Sequence, residues 1–370
     1  MGVGPGAVED LVARVKILVT GNQGYVGPAL GRRLRRVSPD ARLIGFDTGY
    51  FALCTTNAAL SPERVYDAQL HGDARDIDAS LLEGVDAVVA LAAISNDPMG
   101  ASYEAATDAV NRGASLRLAA LAAAAGVKHF VFASSCSVYG YAPGAARKES
   151  DPLNPQTAYA RSKIETERAL AAMDRQGMTT TCLRFATACG MSERLRLDLA
   201  LNDFVASAVA ARRIIVLSDG SPWRPLIDVA DMARAVEWAL LRTPENGGPL
   251  LSVNVGADSW NHQVRDLAEA VAAAVPGAQV SINQAAQPDT RSYKVDFGLF
   301  SRLAPNHQPE MTLARSIARL KQGLEAMGFD DANFRASTYM RLKMLEAHRQ
   351  AGRLDADLRW TDAAFGDAET

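Results

Sequence analysis

Val15-Lys16-Ile17-Leu18-Val19-Thr20 runs directly into Gly21-Asn22-Gln23-Gly24-Tyr25-Val26-Gly27, and a helix-forming stretch follows. An apolar strand that turns through spaced glycines into a helix is the pattern of a dinucleotide site. Gly21 permits the tight turn, Gly24 lets the backbone approach a pyrophosphate, and Gly27 allows the helix to pack closely on the strand. The helix N-terminus then offers free N–H groups and the positive end of its dipole to phosphates. Gln23, Tyr25 and Val26 share the loop and are assigned to the cofactor with the glycines. Glycine loops also serve ordinary turns, so the flanks matter. A second strand, Arg42-Leu43-Ile44-Gly45-Phe46, ends in Asp47, 20 residues beyond Gly27. A carboxylate there can accept hydrogen bonds from both adenosine ribose hydroxyls and repels a 2′-phosphate, which favours NAD over NADP.

Strand-like runs at Val15–Thr20, Leu43–Phe46, Ala87–Ala92, Phe130–Ala133 and Thr180–Phe185 alternate with alanine-rich helical stretches. Such alternation predicts an α/β fold of Rossmann type, a doubly wound parallel sheet covered on both faces. After about residue 187 the rhythm breaks into turns and short strands such as Arg213–Leu217. The expected organisation is a flexible segment over 1–14 and a dinucleotide-binding domain over 15–187, to which 229–245 returns. A smaller interleaved α/β substrate lobe takes 188–228 and 246–308. A helical C-terminal extension over 309–370, ending in a frayed acidic tail, completes the chain.

A chain of 370 residues that is 48% hydrophobic can bury a large core. Its net charge of −3 gives no general attraction to nucleic acid or anionic membranes. Arg32, Arg33, Arg35 and Arg36 on the first helix read as a solvated face. No apolar run reaches about 18 residues, and the first fourteen residues carry Glu9 and Asp10 without a basic segment, so a cytoplasmic protein is expected. Cys54, Cys136, Cys182 and Cys189 lack metal-ligand spacing and are expected to be reduced and mostly buried, with no metal site.

Tyr159-Ala160-Arg161-Ser162-Lys163 puts a tyrosine and a lysine on one face of a predicted helix. Lowering a phenol from a pKa of about 10 to roughly 7 takes about 4 kcal/mol, which an adjacent ammonium and an oxidised nicotinamide are suited to supply. Alone, the spacing also fits an exposed helix pair. Upstream, Phe130-Val131-Phe132-Ala133-Ser134-Ser135-Cys136-Ser137-Val138-Tyr139-Gly140 is a buried strand emerging into hydroxyls at its carboxyl end, where parallel sheets place ligands.

Together these segments resemble the extended short-chain dehydrogenase/reductases that act on nucleotide sugars, UDP-glucose 4-epimerases above all. The likeness covers roughly residues 15 to 300 and extends to Gly72-Asp73, Leu91-Ala92-Ala93, Asn111 and Asp228-Val229-Ala230-Asp231. It implies that Asp73 and Ala74 meet the adenine and that Leu91, Ala92, Ala93 and Asn111 serve the cofactor. Lys163 would bind the nicotinamide ribose, Tyr159 would act as base, and Ser135 would share the substrate proton. Ser95, Ser137, Thr187 and Asn202 would face the substrate, while Arg224 and Arg291 would grip its diphosphate or nucleotide ribose. A homodimer through the helices near Ser115–Ala125 and Tyr159–Met173 is also implied.

The departures are informative. Sugar-nucleotide 4,6-dehydratases resemble this segment but carry Asp and Glu directly after the Ser/Thr, where this chain has Cys136 and Ser137. The 3,5-epimerising reductases that make GDP-fucose place a cysteine two residues after the serine; here it follows by one, and Cys136 reads as a buried thiol filling a core gap. Thr187 and Cys189 replace the usual asparagine and aromatic after Arg184, and Asp228 stands where histidine is common. The extension beyond Pro309 caps the site or widens an oligomer interface. The expected function is an NAD-dependent nucleotide-sugar epimerase, at C4, on a nucleotide-diphosphate sugar. A ketoreductase of a nucleotide-linked keto-sugar shares every motif. A catalytically idle NAD-sensing protein would be expected to lose Tyr159, which this chain keeps.

Overall fold

In a computed structural model, residues 15–56, 59–286 and 292–364 are described. The expected flexible N-terminal segment and the end of the acidic tail lie outside them. Numbered along the chain, the strands are β1 (Lys16–Thr20), β2 (Arg42–Asp47), β3 (Ala68–His71), β4 (Ala87–Ala90), β5 (His129–Ser135), β6 (Ala142–Arg147) and β7 (Thr179–Phe185). There follow β8 (Thr187–Cys189), β9 (Arg213–Val216), β10 (Trp223–Asp228), β11 (Leu250–Val255), β12 (Asn261–Gln263), β13 (Gln279–Ile282) and β14 (Tyr293–Val295).

A seven-stranded sheet in the order β11-β7-β5-β4-β1-β2-β3 forms the centre, and every neighbouring pair in it is parallel. Its middle strands are buried on both faces, which is why Ile17, Leu18 and Val19 or Ala87, Val88 and Val89 read as unbroken apolar runs. The chain steps outward from β1 to β3, then crosses to β4 on the other side of β1. The carboxyl ends of β1 and β4 therefore flank the crevice in which open α/β sheets take ligands.

Two strands escape the sequence pattern. β3 reads Ala-Gln-Leu-His, an edge strand with little apolar content. β11 lies within the 246–308 segment expected in the second lobe, yet it completes the central sheet beside β7, so the lobes interleave more deeply than expected. The helix Val229–Leu241 does return to the sheet, where Met232, Ala235, Val236 and Ala239 share a core with Leu30 and Leu34 of the helix Gly27–Val37.

The second lobe holds the short sheets β12-β10-β8 and β13-β9. Its core is built by the helices Ala200–Ala211, Val264–Ala274 and Leu313–Ala326 through Leu201, Val205, Leu267, Val271, Ile317 and Leu320. The expected C-terminal extension is thus not one unit. Its first helix belongs to the second lobe, because Ile317, Leu320 and Leu324 need that apolar surface. Its second half returns to the central sheet: Leu345, Leu354 and Leu358 pack on Tyr50, Ile94, Met99 and Val110. The arginines of the first helix are a further correction. Arg32, Arg33 and Arg35 pair with Glu193, Glu237 and Asp67 from three different segments and are partly covered; of the four only Arg36 is exposed. The outward positions of the helix Ala158–Ala172 include Arg161, Glu165 and Arg168, a charged face rather than the apolar one expected for a dimer contact.

Candidate active site

One cleft of 850 Å³ runs along the carboxyl ends of the central strands. That lies toward the upper end of roughly 300–1,000 Å³ for ligand sites. At one end Gly21 turns with φ +76°, and a Cβ there would stand 2.4 Å from the Ala92 nitrogen. A Cβ on Gly27 would stand 1.8 Å from the Asn22 carbonyl oxygen. No side chain fits either position, so the glycines permit the turn and the close start of the helix Gly27–Val37 as their spacing predicts. Gly21, Gly24, Tyr25 and Val26 line the cleft, facing Asp47, Asp73, Ala74 and Leu91 to Ala93.

The Asp47 carboxylate accepts the backbone N–H groups of Gln23 at 2.9 Å and Gly49 at 2.8 Å. Burial raises its pKa, and those two N–H groups oppose the rise. Gln23 therefore contributes its backbone to placing the acid and does not line the cleft; its buried Oε1 has no hydrogen-bond partner among the described residues. Asp73 lines the cleft but is already engaged by Arg75, which donates from its backbone N at 2.9 Å and from Nη2 at 2.5 Å. Burial acts to raise the Asp73 pKa, yet Arg75 holds it below the usual carboxylate value. An adenine amino group would share this carboxylate with a guanidinium.

Two expected contacts are corrected. Asn111 is fully buried, exchanging hydrogen bonds with the backbone of Ile94 and donating to the Ser162 hydroxyl at 3.1 Å. It holds the loop after β4 against the catalytic helix from behind. Asn202 is also fully buried; its amide accepts from the Gly190 N–H at 2.9 Å and donates to the Arg196 carbonyl at 2.9 Å and the Tyr25 hydroxyl at 3.2 Å. It ties the glycine loop to the second lobe, and neither asparagine lines the cleft. Such roles require knowing which backbone groups fold against them.

At the other end, Thr157 caps the helix Ala158–Ala172, accepting the Ala160 N–H at 3.1 Å. Tyr159 and Lys163, one turn apart on it, both line the cleft opposite Ser135 at the end of β5. Lys163 is 2% exposed; its Nζ donates to the Ala133 carbonyl at 2.7 Å and stands 4.7 Å above the Phe132 ring. Burial pushes the Tyr159 phenol up to about 12, with the Ser135 hydroxyl and Arg196 acting the other way. Burial likewise lowers Lys163 to about 7 against the charge of Glu167. Both groups favour neutrality, so the protein by itself does not prepare a phenolate. The stabilisation needed to bring the phenol from there to roughly 7 grows from about 4 to about 7 kcal/mol.

Beneath them lies an ion pair. Arg184 on β7 grips Glu167 from Nη2 at 2.7 Å, Glu167 also accepts the Ser134 hydroxyl, and Arg184 donates to the Tyr139 hydroxyl at 3.2 Å. The Cys136 thiol turns into the core toward the Arg184 carbonyl at 3.0 Å and burial pushes its pKa up, so it is a packing group and not an acid. Ser137 faces the cleft, its backbone N–H donates to Ser135 Oγ at 3.1 Å, and its own buried Oγ lacks a partner among the described residues.

Ser95, Thr187 and Arg224 line the substrate half; Arg291 lies outside the described residues. Sequence reasoning missed Arg196. It is 7% exposed, lines the cleft, and donates to the Ser95 hydroxyl at 3.1 Å and to Asp198 at 2.9 Å. Its only local signal is the Arg-x-Asp spacing, which surface loops share. Arg335 and Arg341 from the C-terminal segment also reach the cleft. A dinucleotide fits what is present: a glycine turn open to phosphate, an acid at the ribose position, a lysine beside the tyrosine, and the unpartnered Ser137 hydroxyl beyond.

Comparison with known proteins agrees. Residues 17–256 match the NAD dependent epimerase/dehydratase family. An uncharacterized UDP-glucose epimerase, YtcB, of Bacillus subtilis is 30% identical over 250 residues, 65% of this chain and 77% of that protein. The UDP-glucuronic acid 4-epimerase of Bacillus cereus, solved with UDP-glucuronic acid and NAD, superposes with a TM-score of 0.73 at 19% identity, over 85% of this chain and 100% of that one. TunA, an NAD-dependent NDP-hexosamine 5,6-dehydratase, does so with a TM-score of 0.73 at 23% identity, over 86% and 100%. With its parallel sheet, glycine turn and Tyr159/Lys163 pair at the crevice, this chain belongs to the NAD-dependent epimerase/dehydratase family and is an enzyme of the extended short-chain dehydrogenase/reductase type.

Proposed function

We propose that this enzyme is a cytoplasmic nucleotide-sugar epimerase acting at C4, on a nucleotide-diphosphate sugar. The observation that carries the reading is the gathering of Ser135, Tyr159 and Lys163 on one wall of a cleft that also holds the glycine turn and Arg224. Bound there, NAD supplies a hydride acceptor that can return what it takes, with a positive ring charge that favours a phenolate. Tyr159 Oη would take the hydroxyl proton of the sugar carbon, with Ser135 Oγ sharing it. Lys163, anchored on the Ala133 carbonyl, would hold the nicotinamide ribose and add charge beside the phenol. Arg224 would fix the diphosphate while the keto sugar turns over.

Elimination finds little support. The two positions after Ser135 hold a thiol directed into the core and a hydroxyl, so neither supplies a carboxylic acid or base. The ketoreductase reading has one observation in its favour: burial keeps Tyr159 protonated, the state an acid catalyst needs.

The test is incubation of purified enzyme with UDP-glucose, UDP-N-acetylglucosamine and UDP-glucuronic acid, following configuration by NMR and absorbance at the NADH band. Change of configuration without lasting absorbance change, lost in Tyr159→Phe by about 10²- to 10⁴-fold, supports epimerisation. Steady NADH or NADPH consumption on a 4-keto nucleotide sugar, with no isomerisation of the hexoses, rejects it in favour of the reductase.

A further inference from the structure

Arg341 comes from the C-terminal segment and lies at the start of the helix Arg341–Gln350. It is 1% exposed yet lines the cleft. Nη2 donates to the Arg194 carbonyl at 3.0 Å, and the guanidinium lies 4.4 Å over the Phe51 ring with the Cys54 thiol beside it. Nη1 is buried and has no hydrogen-bond partner among the described residues. Asp198, the carboxylate whose charge favours it, is already paired with Arg196, while Arg194 and Arg196 repel it. Burial lowers its pKa to about 10, a large displacement for a guanidinium. A buried cation lacking its own counter-charge is costly, and an anion in the cleft would relieve that cost.

Its surroundings say which anion. Through Arg194 it joins Ser192, whose hydroxyl donates to the Tyr25 carbonyl at 2.7 Å in the glycine turn. Through Phe51 it joins the loop after Asp47, and His348 of the same helix meets the Tyr50 carbonyl at 3.0 Å. Arg341 is thus attached to both walls of the dinucleotide half, whereas Arg224 sits on β10 in the other half. We propose that Arg341 is a diphosphate-binding residue, brought by the C-terminal segment to close the cofactor's pyrophosphate against the glycine turn. The planar fork suits the task, one Nη held by backbone and the other directed at phosphate oxygen. This inference rests on NAD as cofactor and not on which reaction follows.

The test uses the full chain with Arg341→Met and Arg341→Lys, NAD content after purification, calorimetry on stripped protein with NAD, ADP, adenosine and UDP, and thermal unfolding with and without NAD. Arg341→Met is expected to weaken NAD and ADP by about ten- to a hundred-fold, as for a lost charge-assisted bond. Adenosine and UDP should be unchanged, and the cofactor-free protein should melt no lower than wild type because a buried charge is gone. Loss of UDP affinity with NAD unchanged would move the contact to the sugar nucleotide and overturn the proposal. A lower melting point with the NAD-induced shift intact would make Arg341 structural and also overturn it. If the methionine variant does not fold, NAD affinity in Arg341→Lys equal to wild type is the overturning result, since an ammonium cannot serve both the Arg194 carbonyl and a phosphate in the same geometry.

Discussion

Glu167→Gln tests how the floor of the active site is held. Glu167 accepts three contacts from Arg184 between 2.7 and 3.1 Å and also the Ser134 hydroxyl, and the paired side chains are 4% and 6% exposed. Glutamine keeps the shape and removes the charge. Arg184 then remains a buried cation, and its bonds to the Tyr139 hydroxyl and Glu149 carbonyl do not neutralise it. Breaking a buried pair in this way costs about 3–5 kcal/mol. At roughly 2–4 °C per kcal/mol for a sizeable chain, the melting temperature should fall by about 6–15 °C. The double variant Arg184→Met/Glu167→Leu, which replaces both charges with apolar groups, should recover most of the loss. There is a second readout: the charge of Glu167 raises the Lys163 pKa against burial, so its removal should move the limb of the pH–rate profile that follows Lys163 to lower pH. Thermal unfolding by circular dichroism decides the stability argument. A single variant melting within about 2 °C of wild type, or a double variant worse than either single, would refute it.

Asp47→Asn should narrow the preference for NAD over NADP by removing the anion that faces a 2′-phosphate; equal affinities of the wild type for the two cofactors, by calorimetry, would contradict that role. Lys163 has a folded pKa of about 7, below its unfolded value of about 10.4, so between these the unfolded chain binds more protons and this group makes stability rise with pH. Lys163→Met should flatten that rise in melting temperature from pH 7 to 10 in cofactor-free enzyme, and an unchanged slope counts against it. A symmetric homodimer through the helices Ser115–Ala124 and Ala158–Ala172 is expected, with the outward Arg161, Glu165 and Arg168 finding partners across the interface; a monomer mass by light scattering at micromolar concentration rejects it.

Much of the fold was legible because its signals are local. An apolar run followed by Gly21, Gly24 and Gly27 has to turn and start a helix, Asp47 closes a strand at a readable distance, and four-residue spacing puts Tyr159 and Lys163 on one face wherever the helix lies. Other features depend on which segments meet. β11 carries no mark of which lobe it joins, since a buried strand is apolar in either. Asn111 and Asn202 are polar residues whose partners are backbone groups brought together by folding, and a sequence shows the amide but not what it will bond. The electrostatic state of the site is likewise a tertiary property: burial of Tyr159 and Lys163 pushes both toward neutrality, opposite to what their adjacency alone suggests. Arg341 reaches the cleft only because Leu345, Leu354 and Leu358 find apolar surface on Tyr50, Ile94 and Met99, nearly three hundred residues earlier in the chain. Periodicity along the sequence determines what each element is, whereas the long-range burial of apolar surface determines which elements meet and what charge the enclosed side chains carry.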